Sequence, residues 1–86
     1  MIQKLCAPIS VALVYNHKTR VVKPVKVVWE NHSYTITRIG LHHTVRQGKT
    51  LLHIFSVESD VLFFKLILNT DSLQWTVEEI ADGEPN

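Results

Sequence analysis

Apolar and polar residues alternate along most of this chain with a period of two, and no stretch sustains the i, i+3, i+4, i+7 spacing of an amphipathic helix behind a cap. β-branched and aromatic residues dominate short runs such as Val25-Lys26-Val27-Val28-Trp29, Tyr34-Thr35-Ile36-Thr37 and Leu51-Leu52-His53-Ile54-Phe55. Polar turn clusters separate the runs at fairly regular intervals, which predicts an all-β chain. Strands are expected near 9–15, 20–29, 33–39, 41–47, 50–57, 61–69 and 73–80. The expected fold is a curved antiparallel meander of six to seven strands, closed as a small barrel-like or sandwich domain. Residues 1–82 form that single domain, and 83–86, with Gly83 and Pro85, form a frayed tail.

Cross-strand partners share a face, so each hairpin can be tested by parity. With Asn31-His32 as a two-residue turn, Trp29 faces Tyr34, Val27 faces Ile36 and Val25 faces Arg38. Pro24 has no backbone donor, so its strand lies at an edge or bends there. With Thr70-Asp71 as the last turn, Leu62, Phe64, Leu66, Leu68, Leu73, Trp75 and Val77 form one dense apolar face. The 61–69 strand is apolar on its other flank as well. With Glu58-Ser59-Asp60 as a three-residue loop, Val57 faces Val61 and Phe55 faces Phe63. The second set is then Phe55, Val57, Val61, Phe63 and Ile67, together with Leu51. Such a set needs a second layer or another subunit, and an apolar patch left outside marks an interface.

The chain has 86 residues, enough for one thin core. A net charge of +1 conceals a division: the first fifty residues hold eight basic side chains and one acid, and the rest hold one basic side chain and seven acids. The balance is not that of a strongly basic nucleic-acid binder. Lys4 followed by the apolar run to Tyr15 has some character of a signal peptide, but Ile9, Val11, Leu13 and Tyr15 share one parity, which favours a strand. No apolar run approaches the roughly 20 residues that cross a bilayer as a helix, so no membrane partner is expected. Cys6 is the only cysteine; it excludes an internal disulfide and a cysteine-based zinc site, and it suits a reducing, cytoplasmic setting.

Candidate chemistry is sparse. His42, His43 and His53 fall on two strands joined around Gln47-Gly48-Lys49. A two-residue turn there puts His42 on the face of His53, and a three-residue loop puts His43 there instead. Paired imidazoles suit Zn²⁺, Cu²⁺ or Ni²⁺, but a firm site needs three or four ligands, and nothing fixes Glu58 or Asp60 nearby. No Gly-x-Ser-x-Gly turn or glycine-rich phosphate loop occurs. Glu78 and Glu79 are neighbours on a strand and should point to opposite faces. Neither an enzyme nor a cofactor is indicated. Arg20, Lys23, Lys26, Arg38, Arg46 and Lys49 come from consecutive strands, and with an exposed Tyr34 they offer a basic rim for single-stranded nucleic acid.

The stretches Pro24-Val25-Lys26-Val27-Val28-Trp29, Tyr34-Thr35-Ile36, Leu52-His53-Ile54-Phe55-Ser56-Val57 and Phe64 to Glu79, with its Trp75, resemble a group of short, uncharacterised bacterial all-β proteins. The likeness covers residues 20–82; the group often has Gly in the turn where this chain has Asn31-His32. It implies a bacterial source and carries no catalytic or binding residue. The expected role is a non-catalytic interaction or scaffolding module, a homodimer or a partner of another protein, held through Phe55, Val57, Val61, Phe63 and Ile67.

Overall fold

A computed structural model describes residues 2–82, and the tail expected at 83–86 lies outside them. Among the described residues there are eight strands: β1 (Ile2–Pro8), β2 (Ser10–Asn16), β3 (Val21–Trp29), β4 (His32–Thr35), β5 (Arg38–Gln47), β6 (Thr50–Glu58), β7 (Leu62–Asn69) and β8 (Trp75–Asp82). They form two antiparallel sheets, a five-stranded one in the order β1-β8-β7-β6-β5 and a three-stranded one in the order β2-β3-β4. The all-β expectation holds, and the arrangement is a small sandwich. It has one strand more than the sequence pattern suggests, because β1 precedes Pro8 and has few apolar positions to mark it.

The chain changes sheet twice, each time at a short break. Pro8 ends β1 against Thr76, and the next amide, of Ile9, donates to Trp75 O at 3.2 Å before β2 begins in the small sheet. The single strand expected at 33–39 is cut in the same way. Ile36 N donates to Val25 O at 2.9 Å in the small sheet, while Thr37 N donates to Glu58 O at 2.8 Å in the large one. Adjacent residues thus serve different sheets, which is how a sandwich turns a corner.

Between the sheets lies one core of Val27, Phe55, Val57, Phe64, Leu66, Val77 and Ile80, each at most 5% exposed. Trp29, Tyr34 and Trp75 pack against it. Tyr34 meets Phe64 edge-on at 5.2 Å, a favoured aromatic geometry.

Three hairpins differ from the expected registers. β3 and β4 pair Trp29 with His32 and Val27 with Tyr34, so the turn is Glu30-Asn31, whose φ values are 50° and 65°. Two successive positive φ values define the tight turn that matches strand twist. The slip is by two residues and keeps Val27, Trp29 and Tyr34 on one face. At the last turn, Leu68 pairs with Trp75, so the loop runs from Thr70 to Gln74. Asn69 Oδ1 accepts from Asp71 N at 2.9 Å and Ser72 N at 3.1 Å, and Leu73 closes the loop at φ 61°. Leu73 therefore leaves the expected apolar face and is 71% exposed.

The third difference changes faces. Val57 pairs with Phe64 and Glu58 with Phe63, so the tip is Asp60-Val61 and not a three-residue loop. Ser59 N donates to Leu62 O at 2.8 Å, and Ser59 Oγ accepts from Leu62 N at 3.1 Å. The shift is odd, so Phe55 and Val57 turn to the inner face with Phe64 and Leu66.

Candidate functional site

The surface expected to mediate association is thereby redrawn. Phe55 and Val57 are 5% and 2% exposed inside the single chain and are unavailable to a partner. Val61 stands at the hairpin tip, 59% exposed. Phe63 and Ile67 do lie on the outer face of the large sheet, as expected from their parity. Their cross-strand neighbours complete that face. Ile67 pairs with Ile54, Ile54 with His43, and Leu52 with Val45, while Leu41 pairs with Ser56. Leu41, Val45 and Phe63 are 56%, 42% and 39% exposed.

Leu41 reaches the outer face through an irregularity. Ile39 pairs with Val57 and Leu41 with Ser56, so Gly40 is an extra residue on β5. A bulge of this kind reverses the parity of the residues beyond it. Ile39 and His42 both point inward, and Leu41 points out. The signal in the sequence was a lone glycine inside a strand.

Charges of both signs share this face with the apolar groups. Arg38 Nη2 lies 3.2 Å from Glu58 Oε2, and Lys65 Nζ lies 3.0 Å from Glu78 and 3.9 Å from Glu79. The two glutamates do not point to opposite faces. β8 bulges at Glu78, between the pairs Lys65–Glu79 and Leu66–Val77, so both carboxylates reach the same ammonium. The hydrogen bond and charge of Glu78, helped by Glu79, raise the Lys65 pKa. The pair serves that ion-pair network on an open surface.

The histidine geometry follows the two-residue-turn reading. Gln47 pairs with Thr50 around Gly48-Lys49, and Gly48 takes φ 63°. His42 and His53 share the inner face, with His42 Nε2 2.8 Å from His53 Nδ1. The His42 ring also stacks on Phe55, with centroids 4.1 Å apart and 9° between planes. His43 points to the opposite face. Loss of hydration lowers the His42 pKa first, and the nearby His53 and His43 lower it further. Among the described residues no three His, Cys, Asp or Glu side chains gather as a metal cluster. A nitrogen separation of 2.8 Å is that of an imidazole–imidazole hydrogen bond.

The basic residues are spread over the molecule. Lys23 and Lys26 lie on β3, Arg20 on the β2–β3 turn, and Arg46 and Lys49 flank the β5–β6 turn. Arg38 is held by Glu58. Tyr34 is committed to Phe64 and is not a free platform for a base. Cys6 is exposed on β1. Comparison with protein-family models, with curated proteins and with solved structures found no match.

Proposed function

We propose that this chain is a non-catalytic interaction module that pairs with a second copy of itself through the outer face of its five-stranded sheet. One observation supports the reading: Leu41, Val45, Leu52, Ile54, Ile67 and Phe63 share the outer face of β5, β6 and β7, with His43 between Leu41 and Val45 and Lys65 between Phe63 and Ile67, and three of them are more than a third exposed. Large apolar groups exposed on one face from β5 and β7, with Leu52 and Ile54 of β6 between those strands, are unlike singly scattered surface residues.

A second copy suits this face for two reasons. The face carries Arg38 and Lys65 beside Glu58, Glu78 and Glu79, with Lys65 on the central strand. A two-fold interface must be self-complementary, and a face with both signs satisfies that where a single-sign face would repel itself. The area also suffices. The whole outer face, five strands about 4.8 Å apart and about eight residues long at about 3.3 Å per residue, spans roughly 600 Å² in projection, and the three strands with the apolar groups make up about three fifths of it. The whole face approaches the roughly 800 Å² per partner of a standard interface.

The test is molar mass by light scattering over a dilution series. The mass is expected to rise toward twice that of one chain at high micromolar concentration. Val45→Glu and Phe63→Glu should each hold it at one chain while the far-ultraviolet spectrum stays that of a β protein. A wild-type chain that stays monomeric across the series overturns the proposal, and so does a dimer indifferent to both substitutions.

A further inference from the structure

We infer that the gap between the two sheets at the β2–β3 turn end is a binding site for a flat, apolar organic acid. The small sheet is three strands wide and cannot cover the whole inner face of the large one. β4 pairs only with Lys26–Trp29 of β3, so the far half of the β2–β3 hairpin is left to cover His42, His53 and Trp75. A space of about 480 Å³ remains between them. Small-molecule pockets run from roughly 300 to 1,000 Å³.

The floor of this space is aromatic. Trp75 lies 5.7 Å from Phe55, Phe55 stacks on His42 at 4.1 Å, and His42 meets His53 edge to edge through their hydrogen bond, with centroids 5.1 Å apart. These four rings form a continuous row, with interplanar angles of 33°, 9° and 26°. The roof is aliphatic: Leu13 and Val22, 42% and 46% exposed. A flat apolar body fits between a row of rings and two branched side chains.

Charge selects an acid. Among the residues lining the gap, Arg20 bears the single formal charge, and none is a carboxylate. The histidine pair adds a donor by hydrogen-bond counting. In the neutral pair one ring donates to the other across the 2.8 Å contact. Each neutral imidazole has one N–H and one bare nitrogen. If His42 Nε2 donates, His53 keeps its proton on Nε2; if His53 Nδ1 donates, His42 keeps its proton on Nδ1. Either tautomer therefore leaves one outward N–H and one outward acceptor. A carboxylate at the mouth can take the Arg20 fork and that N–H, bonds stronger than those between neutral groups. The gap is on the inner face, so its occupancy does not depend on pairing through the outer face.

The experiment is a titration of the purified full chain with 2-naphthoate, 2-naphthalenemethanol and acetate, followed by amide chemical shifts and calorimetry. Naphthoate should bind about ten-fold or more tighter than the neutral alcohol, and acetate should not bind measurably. Shifts should map to Leu13, Val22, His53 and Trp75. Arg20→Gln should remove the advantage of the acid while leaving weak binding of the alcohol, and Val22→Glu should abolish both while the far-ultraviolet spectrum stays that of the wild type. Equal affinity for acid and alcohol, an acid advantage that survives Arg20→Gln, or shifts confined to the outer face would each overturn the assignment.

Discussion

Phe63 and Phe64 are adjacent in sequence and opposite in consequence, and truncating each in turn tests the register on which the whole reading depends. Phe64 is 2% exposed, pairs with Val57 and receives the ring of Tyr34 edge-on. Its replacement by Ala leaves a cavity between the sheets, and such changes cost about 3–5 kcal/mol. Phe63 is 39% exposed on the outer face. Fully burying a side chain of this kind contributes about 1.5–3 kcal/mol, so truncating a partly open one costs about 1–2 kcal/mol and leaves no cavity. For a domain of this size about 1 kcal/mol moves the midpoint by about 4–8 °C. Thermal unfolding followed by circular dichroism, at a dilution where light scattering gives one chain, should show Tm lowered by about 12–40 °C for Phe64→Ala and by about 4–16 °C for Phe63→Ala, with the Phe64→Ala loss at least twice the other. A double-mutant cycle sharpens the test. Val57→Ala should couple to Phe64→Ala by more than about 0.5 kcal/mol and add simply to Phe63→Ala. Equal losses for the two phenylalanines, or coupling of Val57 to Phe63, would mean that the Asp60-Val61 tip is wrong and that Phe55 and Val57 belong to the other face.

Other substitutions have signs fixed by single contacts. Ser59→Ala removes an Oγ that accepts from Val61 N and Leu62 N at 3.3 and 3.1 Å in a residue 7% exposed, and should lower the urea-extrapolated stability by about 1–3 kcal/mol. Leu73→Gly relieves a left-handed φ of 61° at a side chain 71% exposed, and should raise stability by up to about 1 kcal/mol in the same assay, whereas a loss would show that Leu73 packs. His42 has a pKa below 6.5, facing His53 from β6 and Arg20 from the β2–β3 turn, with His43 behind it on β5. Because its folded value lies below its unfolded one, the unfolded chain binds more protons, so this contribution is complete above about pH 6.5 and is lost as pH falls through the lowered value. Urea midpoints at about pH 7.5 and about pH 5.5 should therefore differ less in His42→Gln than in the wild type; an unchanged difference would remove His42 from the pH response.

Fold class was legible from the alternation alone, and so was the sharing of one face by His53 and a β5 histidine, but the choice between His42 and His43 rested on the length of the turn around Gln47-Gly48-Lys49, which alternation does not set. Leu66, Phe64 and Val77 were also legible as core. The loops were harder. Asn16 and Asn69 each accept two amides through Oδ1, and each loop closes on a residue at φ near 60°, Arg20 and Leu73. The recurring signal is an asparagine followed by Thr or Ser within three residues. It was present in Asn69-Thr70-Asp71-Ser72, but a two-residue turn at Thr70-Asp71 also preserves parity, so alternation could not choose between them.

What alternation could not carry at all is a residue that interrupts it. β3, β5 and β8 each hold one extra residue, at Val25, Gly40 and Glu78. In each strand the inward positions then stand three apart: Pro24 and Val27, Ile39 and His42, Val77 and Ile80. A spacing of three is foreign to a regular strand, and strict parity assigns one member of each pair to the wrong face. The same three residues set the functional geometry. Gly40 sends Leu41 outward to the apolar groups of the outer face and His42 inward to the aromatic floor. Glu78 brings a second carboxylate to Lys65 on the outer face. Val25 lets Pro24 point into the sandwich, and Val25 O anchors the strand crossing at Ile36. Deleting Gly40 would restore strict alternation on β5. Ile39, Leu41 and His42 would keep their in, out, in order opposite Val57, Ser56 and Phe55, so the His42–His53 hydrogen bond, read by the imidazole resonances, should survive the deletion, and its loss would show that the extra residue itself holds the two rings together.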